Sequence, residues 1–194
     1  MDADTRDVTN QLRAALLRSG LSLRGFATAL GTSHSRLSSY LHGTASPSAA
    51  FFLRALRLGA ALGEASEQGW MTPQVTRQAL REAIARDERW AFKIATQARD
   101  QVREMLTSPE APAAAWESKP GSCGDLRWDS LVAALVAHEF AAANRTPPAW
   151  TEIRAHDDWV LSNLLLDDAD VREATPDWLA ERGIYIAERD LTTA

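Results

Sequence analysis

LSLRGFATALGTSHSRLSSYLHG, residues 21–43, holds two short apolar patterns separated by a single glycine. Leu23, Phe26, Ala27 and Leu30 recur at helical spacing. After Gly31 the pattern restarts with Leu37, Tyr40 and Leu41, and it stops at Gly43. Ser22 and Ser33 stand where a helix N-cap stands, each offering a side-chain oxygen to free first-turn amides, so the spacing predicts a helix closing at Leu30 and another over 34–42. Leu30 and Leu37 pin the pair together, Ala27 allows close helix approach, and Gly31 permits the tight turn. The second helix then turns His34, Ser35, Ser38 and Ser39 away from the core, and Arg36 is the one permanent charge between Ser33 and Gly43.

Outward from this stretch the chain reads as all-α. A first helix is predicted over 7–18, with Val8, Leu12, Ala15 and Leu16 on one face and Gly20 ending it. Ser46-Pro47 reads as the next helix start, and Gly59 or Gly63 as its end. Thr72-Pro73 opens a segment running to Asp87, and Trp90, Ile94, Ala98, Val102 and Leu106 recur every fourth residue after it. These two runs predict an antiparallel helical hairpin. SPEAPAAAWESKPGSCGD, 108–125, has the proline, glycine and small-residue content of a linker. A helix over 128–143 follows, then a break at Pro147-Pro148 and a shorter mixed tail in which 183–187 predicts a brief strand. The expected organisation is a domain over 1–63, the hairpin over 64–107, the linker over 108–125 and a mostly helical acidic domain over 126–194.

Composition narrows the function classes. The 194 residues carry a net charge of −5, unevenly spread: residues 1–63 hold seven arginines against three acids, a charge of +4, while the rest hold 14 basic against 23 acidic groups, a charge of −9. A basic module joined to an acidic one points to nucleic acid for the first and another partner for the second. All seven tryptophans lie from Trp70 to Trp178, as core or as partner surface. One cysteine, Cys123, leaves no internal disulfide and no thiolate-rich zinc site. No apolar run approaches the ~18 residues of a membrane span and MDADTRDVTN is unlike a secretory signal, so a cytoplasmic protein without membrane contact is expected. His138-Glu139, His156-Asp157-Asp158 and Asp167, Asp168 and Asp170 lack metal-site spacing, and the last three read as a helix opening. No nucleophile elbow or phosphate-cradling glycine loop occurs, so neither catalysis nor a cofactor is expected.

A short helix, a glycine turn and a second short helix with a polar outer face have the geometry that seats a helix in the major groove of double-stranded DNA. Small hydroxyls let such a helix sit deep, and Arg36 can reach a guanine edge or a phosphate. Amides at the helix starts capped by Ser22 and Ser33 suit phosphate oxygens. The pattern G-L-S-x-x-x-F-A-x-x-L-G-x-S-x-S-x-L-S-x-Y-L-x-G over 20–43, with its Ser-Pro sequel, resembles the Xre family of helix-turn-helix regulators, the lambdoid phage repressor type with a five-helix core, over 8–63. The resemblance implies base reading by His34, Ser35 and Ser39 and backbone contacts near Ser22, Arg24, Arg36 and Thr44. Leu23 stands where that family often has a phosphate-binding glutamine, and Arg24 is the neighbouring substitute.

More loosely, RWDSLVAALVAHEF, PPAWTE and TPDWLAERGIYIAERDL resemble C-terminal regions of Xre-type regulators of high-GC Gram-positive bacteria, some of which look like antitoxins. The resemblance implies a homodimeric repressor that occupies an operator, with a cognate toxin or other protein as partner of the acidic region. Two other readings stay open: a ligand-sensing regulator with a small-molecule pocket in the C-terminal domain, and an interaction adaptor that no longer binds DNA.

Overall fold

The first helix begins where a side chain can close it. Asp2 accepts from the Thr5 amide at 2.8 Å and opens α1 (Ala3–Arg18), which buries Leu12 and Ala15. This is a computed structural model describing residues 2–161 and 165–191, and among those residues its regular structure is helical apart from one two-stranded sheet. The chain divides into two units, Met1–Val75 with Ser108–Gly121 and Thr76–Thr107 with Ser122–Ala194.

In the first unit, α2 (Leu23–Ala29) and α3 (His34–Leu41) follow their serine caps as the spacing predicts. Leu12, Phe26, Leu30, Leu37, Leu41 and Leu58 form one apolar core. The fourth helix departs from the sequence reading. Ser48, not Ser46, caps α4 (Ala49–Glu67) by accepting from the Phe51 amide, and the helix runs straight through Gly59 and Gly63. Those glycines mark a seam with α1. A methyl group at Gly59 would lie 2.6 Å from the Ala15 carbonyl oxygen, and one at Gly63 would lie 2.5 Å from that of Arg18. The two backbones approach as closely as they do because neither position has a Cβ.

Four helices fill residues 3–67, and a further packing element comes from far along the chain. Ala113–Glu117 forms a 3-10 helix that packs on α4, with Ala115 and Trp116 buried. The strap continues to Lys119, whose amide donates to the Ala29 carbonyl at 3.0 Å. Gln74 Nε2 donates to both Ser118 Oγ and the Lys119 carbonyl. Residues 108–121 are thus an integral part of this unit, and the linker composition hides a buried tryptophan.

In the second unit α5 (Pro73–Ile84), of which residues 76–84 belong here, precedes α6 (Glu88–Thr107). The main partner of α6 is α7 (Leu126–Ala142) and not the α5 of the expected hairpin, and Ile94, Ala98, Val102 and Met105 of α6 are buried. Glu139 of α7 is 4% exposed and receives two bonds from the Arg103 guanidinium, at 2.7 and 2.9 Å. Buried carboxylates need such pairing. Trp128 meets Trp159 edge to face at 5.0 Å. β1 (Trp159–Val160) pairs in parallel with β2 (Ile184–Tyr185), inside the stretch expected to form a strand. Between them Asp167 caps α8 (Asp168–Glu173), as its acid cluster suggests, and α9 (Asp177–Ala180) follows. Loss of water around Cys123 pushes its thiol up to about 12. Alkylation of the folded protein by iodoacetamide at pH 8 is therefore expected to run about 10³-fold slower than for the unfolded chain, because the thiolate fraction falls with the shift. Equal rates in the presence and absence of urea would contradict this.

Candidate nucleic-acid interface

The site is built on two capped helix starts. Ser22 Oγ accepts from the Gly25 amide at 3.1 Å, and Ser33 Oγ accepts from the Arg36 amide at 3.2 Å. Each cap takes the third amide of its helix, so those of His34 and Ser35 stand ahead of the backbone ladder, at the positive end of α3. Gly31, at φ +67°, makes the turn between the two helices in the left-handed backbone region that side-chain-bearing residues rarely adopt.

The candidate residues divide by exposure. Ser22, Arg24, Ser33, His34, Ser35, Arg36 and Thr44 are exposed, whereas Ser38 and Ser39 are half-buried along the flank of α3. Ser39 Oγ donates its one proton to the Ser35 carbonyl at 3.0 Å, which leaves the hydroxyl oxygen as an acceptor, of the kind suited to an amino group of adenine or cytosine. Ser38 Oγ lies 3.4 Å from His42 Nδ1, which donates to the Ser38 carbonyl at 2.8 Å and so ties down the helix end. Thr44 Oγ1 closes the same end on the Ser39 carbonyl at 3.1 Å. Arg24 and Arg36 have no carboxylate within ion-pair distance among the described residues, which leaves both guanidinium groups available to phosphate.

Two further residues position α2, and both lie outside the sequence reading. Arg54 lies over the Phe51 ring and donates to the Leu30 carbonyl at 3.0 Å, while the strap amide of Lys119 holds the Ala29 carbonyl. The three-residue spacing of Phe51 and Arg54 was the one local signal for the first. No group of three or more His, Cys, Asp or Glu side chains able to share a metal ion occurs among the described residues.

A capped helix pair presenting a polar, cationic helix face defines a helix-turn-helix DNA-binding module. In agreement, residues 8–68 match the family model described as a helix-turn-helix domain, just under a third of the chain. No curated protein and no solved structure matches. The domain supports a DNA-binding regulator. No helix among the described residues is long and apolar enough to cross a membrane.

Proposed function

We propose that the protein is a transcriptional repressor of the Xre type that occupies its operator as a homodimer, with α3 in the major groove and no catalytic role. The observation that carries this reading is the pair of exposed cations, Arg24 and Arg36, that have no carboxylate partner among the described residues and stand beside the serine caps of the two helices. His34, Ser35 and Ser39 read base edges; Ser22, Arg24, Ser33, Arg36 and Thr44 hold phosphates; Ser38 shapes the flank. One such module buries only about 600–1,000 Å² on DNA, which favours two copies reading half-sites about 34 Å apart.

Arg36→Ala tests the reading. Binding to operator and to random duplex is expected to weaken alike, with the salt slope falling by roughly one unit. A loss confined to one base pair would reassign Arg36 to base reading. Unchanged affinity and slope on both DNAs would remove α3 from the groove.

Residues 64–194 carry a charge of −9, and within them the acidic domain over 126–194 repels phosphate and suits a protein partner, the cognate toxin of an antitoxin pair in the fullest form of this proposal. Since α7 covers the apolar face of α6, a dimer contact there falls to Trp90, which is 55% exposed. Trp90→Ser is expected to turn a dimer into a monomer in light scattering at micromolar concentration. An unchanged mass would move the contact elsewhere.

A further inference from the structure

A cleft of about 350 Å³ opens in the first unit between the start of α1, the end of α3 and the turn into α4. Its size falls at the lower end of small-molecule sites. Val8, Tyr40, Pro47 and Phe52 make its walls apolar. Thr9, also lining it, is 1% exposed, and its hydroxyl has a single bond, to the Tyr40 carbonyl at 3.5 Å. Ordinary O–H···O bonds measure 2.5–3.0 Å, so this long bond holds the buried hydroxyl weakly, and among the described residues no hydrogen bond to its oxygen occurs.

Charge completes the pattern. No arginine, lysine or histidine lines the cleft; its one ionisable carboxylate is Asp4, exposed and without an ion-pair partner among the described residues. Asp2 caps α1, whereas Asp4 stands in its first turn with its side chain exposed. We propose that this cleft binds a small amphipathic amine, its ammonium group set between the Asp4 carboxylate and Thr9 Oγ and its apolar body against Val8, Tyr40, Pro47 and Phe52. An occupant would bear on α3 through Tyr40 and on the turn after Thr44 through Pro47, so the site is placed to modulate DNA reading. Amine binding itself does not depend on that reading.

The test uses the full chain at pH 7 and backbone amide NMR with three probes of similar shape: 2-phenylethylamine, 2-phenylethanol and 3-phenylpropionate. The amine is expected to give saturable shifts confined to residues around 4–9 and 40–52. It should bind about tenfold more tightly than the carboxylate, as reversal of a surface charge contact requires. Asp4→Asn, a change at an exposed position, is expected to weaken the amine roughly three-fold and leave the alcohol unchanged. Ala49→Leu, which fills the cleft mouth, should remove all three. Absence of saturable shifts at millimolar amine, equal binding of amine and carboxylate, or insensitivity to both variants would each overturn the proposal. Adding duplex DNA as a separate step reads the coupling to α3 and leaves the binding result intact.

Discussion

Gly59→Ala is expected to destabilise the protein by about 2–3 kcal/mol, the cost of forcing a methyl group into a packed contact. In an open helix the same change would stabilise by up to ~1 kcal/mol, so the sign of the effect discriminates between a close helix seam and a loose helix end. The clash is with the backbone: the new Cβ would lie 2.6 Å from the Ala15 carbonyl oxygen and 2.9 Å from its Cβ, and no side-chain rotation relieves it. Gly63→Ala, against Arg18, should behave alike. Gly25→Ala is the control, since its nearest neighbours would be 3.4 and 3.6 Å away. Urea unfolding followed by circular dichroism measures all three. A neutral or stabilising Gly59→Ala would mean that α1 and α4 stand further apart than described.

Trp116→Ala is expected to cost about 3–5 kcal/mol, the range for deleting a fully buried aromatic side chain. Trp116 is 1% exposed, and its 3-10 helix packs on α4. The loss should appear first as faster hydrogen exchange of α4 amides, because the strap covers that helix. A connecting segment would behave differently, with a loss under about 1 kcal/mol and unchanged α4 protection. The Lys119 amide gives the same strap a second anchor at the end of α2, so weakened DNA binding should accompany the lost stability.

The helix pair of 21–43 is legible in the sequence because its rules act within a few residues. A cap serine reaches the third amide of its own helix, and Gly31 serves the turn it sits in. Gly59 and Gly63 mislead because their usual local meaning, a helix stop, is overridden by a helix more than forty residues earlier. The strap misleads for a similar reason: prolines and alanines describe its backbone, whereas one tryptophan decides its place. On α7 every residue from Ser130 to Ala137 is buried, so no polar stripe betrays which neighbours cover it. Within the candidate site, the exposure of His34, Ser35 and Arg36 follows from helical spacing. The anchoring of α2 by Arg54 and Lys119 does not, since both contacts span long stretches of chain.

The strap also sets an order of events during synthesis. Helices α1–α4 are complete at Glu67, yet the segment that closes over α4 ends at Gly121. At a ribosomal pace of about 5–20 residues per second, the interval lasts several seconds, far longer than a small helical domain needs to collapse. Throughout it the nascent reading motif carries an uncovered apolar seam on α4 and an unanchored carbonyl at Ala29. Its maturation to the finished shape is thus timed by translation of the intervening residues 68–121, and a nascent chain arrested after α1–α4 have emerged but before Gly121 has done so would display a helix-turn-helix head that is assembled but not yet locked.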